Sequence, residues 1–227
     1  SASSTTRPVS APPVVDGHGA APGRPPGPAH RHLADALRRV TEQIVLTDAD
    51  PDLLAEAAAL VERAGDLLAP VTPPWTVAVP SFDPGADPHE YFPFSPQIGL
   101  YSPLAPPLSV HLDGDVVRAT GNLGAAYEGP PGCVHGGIVA SLFDEILGIA
   151  NITAGVGAMT GTLTIRYRNP TPLCTDLDFT AQVDRMEGRK VFTSGTIHAG
   201  GVLTAEAEGI FIQVQALQWD AIAPGSQ

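Results

Sequence analysis

Apolar positions recur along this chain with two different periods, and the change of period divides it. Leu33, Leu37, Val40 and Ile44 are spaced as on one face of a helix. Asp50 suits an N-cap and Pro51 a first turn, and after them the same spacing returns at Leu54, Ala57, Val61, Ala64 and Leu68. These stretches predict a helical hairpin over 30–70, packed on the rest of the protein. From Leu108 the period becomes two. Leu108, Val110 and Leu112 share one side, Asp113-Gly114 makes a turn, and 116–121 reads as the return strand. Further strands are expected over 161–168, 176–185, 190–198 and 202–214, bounded by proline, Glu187-Gly188 and Gly200-Gly201. That makes about six antiparallel strands.

One helical stretch interrupts the strands, from 136 to about 153. Ile138, Val139, Leu142, Phe143, Ile146, Leu147, Ile149 and Ala150 leave it apolar almost all the way round, so most of its sides must be buried. An antiparallel sheet of about six strands wrapped around one long central helix is an α+β fold, the hotdog arrangement. The expected organisation is a Pro/Gly-rich tail at 1–29, the helical hairpin at 30–70, a linker at 71–97, the main domain at 98–217 and a C-terminal tail at 218–227. Residues 70–107 are rich in proline and aromatics, among them Trp75, Phe82, Tyr91, Phe92, Phe94 and Tyr101, which fits an ordered segment lying along a surface and covering part of a groove.

Composition narrows the function. A net charge of −12 disfavours nucleic acid, because a duplex-binding surface needs many cations to displace counterions. From Ala119 onward the cations are Arg166, Arg168, Arg185, Arg189 and Lys190, close enough in sequence to form a local anion site or to sit solvated at strand ends. The two cysteines, Cys133 and Cys174, make no disulfide framework and no zinc pattern, which suits a reducing, cytoplasmic setting. No apolar run is expected to cross a bilayer and no secretory leader is legible, so a soluble protein without a membrane partner is expected.

The chemistry concentrates on the helix. Gly137, Ser141, Asp144 and Gly148 fall at i, i+4, i+7 and i+11, so small and polar residues share a face. A carboxylate there is costly unless it is hydrogen-bonded or does work, and burial would raise its pKa toward the range of a general base. Asp144 is the candidate base; a packing carboxylate is the alternative reading. Glu145, 100° around the helix, is the rival and reads better as a structural hydrogen-bonding group. Gly136 and Gly137 allow close approach to the helix start, where free N–H groups and the positive dipole end suit an oxyanion. His135 caps the helix or orients substrate. A Cys133–His135 nucleophile pair is disfavoured, since nothing indicates a third, orienting group. At 1.5 Å per residue, Asp144 lies about 10 Å along the axis from Gly137, too far for one carbonyl to touch both. If the two act together they must come from different subunits.

In order along the chain, His135-Gly136-Gly137, Asp144, Thr160, 167–174 (Tyr-Arg-Asn-Pro-Thr-Pro-Leu-Cys) and Glu187-Gly188-Arg189-Lys190 resemble the hotdog acyl-CoA thioesterases of the PaaI and thioesterase-superfamily-member type, over roughly 98–214. The resemblance implies hydrolysis of an acyl-CoA without metal or cofactor, by a homodimer or dimer of dimers with active sites at the interface. It places Asp144 as the catalytic carboxylate, Gly137 or Gly136 as the oxyanion amide, His135 as the substrate-positioning imidazole and Thr160 as the hydroxyl that helps place water. Ser141, Asn169 and Arg168 would lie near the cleft, and Arg189 and Lys190 near the coenzyme A nucleotide. A non-catalytic acyl-CoA-binding or sensing module is the alternative. A hydratase of the same fold would want a histidine five residues after the aspartate, where Ile149 stands.

Overall fold

The computed structural model describes residues 27–72 and 87–214. The two tails beyond 27 and 214, and Trp75 and Phe82 of the linker, lie outside the described residues.

The helices form where the spacing predicts them. α1 (Pro28–Leu46) and α2 (Pro51–Leu68) each begin with proline, and the Asp50 carboxylate accepts from the N–H groups of Asp52 and Leu53 at 3.0 and 2.9 Å, the arrangement of an N-cap. They fare differently in packing. α1 docks by polar contacts: Glu42 accepts the backbone N–H groups of Ala125 and Ala126 at 2.8 and 3.0 Å, which begin a short 3-10 helix (Ala125–Tyr127), and Arg38 reaches the carbonyls of Gly99, Ser102 and Ala105. α2 has no buried residue. Its Leu53, Leu60 and Leu67 are all more than half exposed, so among the described residues the main domain does not cover it, contrary to the packing that the periodicity suggests.

α3 (Pro88–Tyr91) opens the segment that leads into the sheet. His89 fixes this segment, its Nδ1 at 3.0 Å from the carbonyl of Ile98 and its Nε2 accepting the N–H of Val110 at 3.2 Å. Tyr91, Ile98 and Ala105 are buried, so the proline-rich stretch is part of the core. The strands follow: β1 (Leu108–Asp113), β2 (Val116–Asn122), β3 (Ala158–Tyr167), β4 (Asp176–Glu187), β5 (Lys190–Ala199) and β6 (Val202–Gln213). All pairings are antiparallel, in the order β1-β2-β4-β5-β6-β3. The predicted Asp113-Gly114 and Glu187-Gly188 turns close tightly because Gly114 and Gly188 take positive φ of 62° and 58°, costly for a side chain.

α4 (Gly136–Thr153) lies on the concave side of the sheet and touches five of its strands. Leu142, Phe143, Ile146, Leu147 and Ile149 are almost fully buried there with Phe179, Ile197, Ala205 and Phe211. Gly195 of β5 makes the close approach possible: a Cβ at that position would stand 3.2 Å from Leu147 Cδ2 and 2.7 Å from the Thr180 carbonyl oxygen. α4 is also long and apolar enough by composition to cross a membrane, which the expectation above excluded, but half of it is buried inside the fold. This is the hotdog fold.

Candidate active site

Two clusters meet the open side of α4. The first is its start. His135 is the N-cap, and its Nδ1 accepts the N–H of Gly137 at 2.9 Å. For the N–H of Gly136 no acceptor lies among the described residues. Tyr167, at the end of β3, donates from its hydroxyl to the Gly136 carbonyl at 2.8 Å, and its ring lies against the place where a Gly136 side chain would be. His135, Gly137 and Tyr167 are exposed.

The second cluster centres on Asp144, whose Oδ1 accepts from the Thr160 hydroxyl at 2.6 Å. Thr160 reaches α4 because of an irregularity. It pairs with Phe211 while Thr162 pairs with Ile210, so Gly161 between them is an extra residue and a β-bulge. Strict alternation would put Thr160 on the outer face with Thr162 and Thr164. The bulge reverses its side, and Thr160 shares the α4-facing side with the buried Phe211. The hydroxyl therefore orients the carboxylate and leaves Oδ2 free of described partners.

The buried carboxyl is not Asp144. Asp144 and Thr160 are exposed along the sheet edge at β3, where no further strand pairs among the described residues. Glu145 is the group that burial pushes up from its ordinary value of 4.5; the Ser95 hydroxyl lowers it by hydrogen bonding, and Asp144 raises it further. Its Oε1 is buried with no hydrogen-bond partner. The difference comes from the 100° between them: α4 turns Glu145 toward the segment after α3 and Asp144 toward the open edge. That segment also holds Ser141, whose hydroxyl lies 3.0 Å from Gln97 Oε1 and 2.9 Å from the Ile138 carbonyl.

Other expected site residues are placed apart. Arg168 forms an ion pair with Glu206 at 2.6 Å, and Arg166 one with Glu208 at 2.9 Å. Glu206 and Glu208 alternate with the buried Ala205 and Ala207, so these arginines occupy the outer face and Arg168 does not join the cleft, contrary to expectation. The period of two in β3 carried that signal, since it sets Tyr167 and Arg168 on opposite faces. Asn169 donates to the Leu203 carbonyl at 2.8 Å. Arg189 donates to the Gln213 carbonyl at 3.1 Å from the β4–β5 turn, and Lys190 pairs across to Ile212, itself opposite Met159. The turn thus lies two strand spacings, about 10 Å, from the row next to Thr160. Tyr167 and Gln97 are the contributors that sequence reasoning left without a role. No group of three or more metal-ligating side chains occurs among the described residues.

Comparison with known proteins meets this geometry from outside. The thioesterase superfamily model matches residues 131–206, which hold both clusters apart from Gln97 and Ser95. A crystal structure of a thioesterase superfamily protein superimposes with a TM-score of 0.72 at 35% identity, covering 83% of this chain and 93% of that one. The chain belongs to the thioesterase superfamily. Acyl-coenzyme A thioesterase THEM4 of Xenopus laevis is 41% identical over 93 residues, and acyl-coenzyme A thioesterase THEM5 of Homo sapiens 34% over 94. Each match takes in 40% of this chain and spans 42% and 38% of those relatives, about two fifths of their length. The residues that the superfamily model matches run from just before α4 into β6.

Proposed function

We propose that this chain hydrolyses an acyl-CoA, with a fatty or aryl acyl group, to the free acid and coenzyme A. The observation that carries the reading is Asp144, held through one oxygen by Thr160 and open through the other, on the helix whose first turn presents the Gly136 and Gly137 amides. Relatives similar to this chain over 93 and 94 residues bear the name of acyl-coenzyme A thioesterases.

A water molecule beside Asp144 adds its oxygen to the thioester carbonyl carbon while Oδ2 takes the proton. The carbonyl oxygen becomes an oxyanion facing the helix-end amides. Collapse of the tetrahedral intermediate breaks the C–S bond, and the sulfur leaves as a thiolate that recovers the proton. Direct attack by Asp144 to give an anhydride is the lesser variant. His135 must release the Gly137 N–H as substrate enters, after which its imidazole is free to position the substrate. The reaction calls on no cofactor.

The separation of about 10 Å along α4 supports a site that takes the amides of one protomer and the Asp144 of the other, and the active species proposed is a homodimer or a dimer of dimers. The exposed side of α4 beside edge strand β3, with Met159 and Tyr167 about half exposed, supports that arrangement. Lys190 and Arg189 would meet the coenzyme A phosphates, with Asn169 near the cleft. Replacing Asp144 by Asn tests the reading: folding should be retained while thiol release from an acyl-CoA panel falls at least roughly a hundredfold. Near-native turnover would refute it.

A further inference from the structure

Gln97 lies outside residues 131–206, the stretch matched by the superfamily model, yet it reaches the face of α4 beside Asp144. Its backbone is fixed. The Ser95 Oγ accepts the Gln97 N–H at 3.0 Å, and the next residue, Ile98, is 2% exposed and holds His89 through its carbonyl. Its side chain is half-buried, with Oε1 accepting from Ser141. Around α4, Ser141 falls between Asp144 and Glu145, at 60° from the first and 40° from the second for 100° per residue. Gln97 therefore stands at the boundary between the covered side of the helix and the open Asp144 side.

What remains on Gln97 for a ligand is chemically specific. Nε2 donates to no described group, while the Ser141 hydroxyl spends its proton on Gln97 or on the Ile138 carbonyl. This wall thus offers donors and wants an acceptor. The Asp144 carboxylate stands close by, so a carboxylate-bearing partner would be repelled and a neutral oxygen accepted. Along the axis Ser141 is about 4.5 Å from Asp144, which places the donor within reach of an oxygen a few carbons from a thioester carbonyl held at Asp144.

On the thioesterase reading, on which this rests, we propose that Gln97 is a specificity-determining residue: its side-chain amide donates to a hydroxyl or oxo oxygen near the thioester and selects acyl groups carrying one over plain alkyl chains. The test compares kcat/KM for 3-hydroxyoctanoyl-CoA and octanoyl-CoA in the full chain and in Gln97→Leu, with Gln97→Met as a second variant of similar length should the first fail to fold. The wild-type chain should favour the hydroxylated ester, and that ratio should fall roughly tenfold in the variant. A ratio that stays within about twofold of wild type in the variants, or a wild-type chain without preference, overturns the proposal while leaving the hydrolase reading intact. A wild-type chain that hydrolyses neither ester overturns the proposal, and one that also hydrolyses no other fatty or aryl acyl-CoA overturns the hydrolase reading with it.

Discussion

Asp144 and Glu145 are neighbours with opposite surroundings, and their behaviour should separate in experiment. Glu145 is held above its ordinary value of 4.5 chiefly by burial, so the fold favours its protonated form. The sign follows from linkage. At acid pH both folded and unfolded chains carry the proton and nothing is lost; as pH rises, the unfolded chain gives it up first and the folded state loses stability until the raised value is passed. Glu145→Gln should therefore melt higher than wild type at about pH 8, with the difference closing below about pH 4.5. A difference that grows toward acid pH would contradict the assignment. Tyr167 makes a second single-residue case, since its hydroxyl ties the end of β3 to the first turn of α4. Tyr167→Phe should lower kcat roughly fivefold with little change in KM, the size of one hydrogen bond that positions the amides.

Between elements, the decisive contacts are few and unlike one another. α4 can approach β5 because Gly195 has no side chain. Gly195→Ala must push against the Thr180 carbonyl and Leu147 and should cost about 1–3 kcal/mol in denaturant unfolding. α1 is held instead by capping: both Glu42 oxygens serve amides that begin the short helix at Ala125. Glu42→Ala should cost about 1–3 kcal/mol and expose the α1 region to proteolysis before the sheet unfolds. Equal protection of α1 and the sheet in the variant would show that other contacts hold it.

For the assembled protein, the proposed division of the site between protomers makes a prediction that stability measurements cannot mimic. Asp144→Asn and Gly137→Pro should each be inactive alone, proline at the second position of a helix removing the N–H with little cost to the helix. Refolded together in equal amounts they should recover about a quarter of wild-type turnover, because half the dimers are mixed and each mixed dimer holds one intact site. No recovery would place the amide and the carboxylate in the same protomer's site.

Much of this was legible in residue order. The helices at 28–46, 51–68 and 136–153, the six strands and their glycine turns follow from periods of 3.6 and 2 and from local turn chemistry, which neighbouring residues determine among themselves. The stripe Gly137-Ser141-Asp144 follows in the same way. What only the tertiary structure decided is which sides those elements cover. The docking of 87–107 buried Glu145 and left Asp144 open, one extra residue at Gly161 turned Thr160 toward the helix, and Glu206 held Arg168 on the outer face. Each outcome depends on a partner distant in sequence, and periodicity states that a face exists without stating what will lie against it.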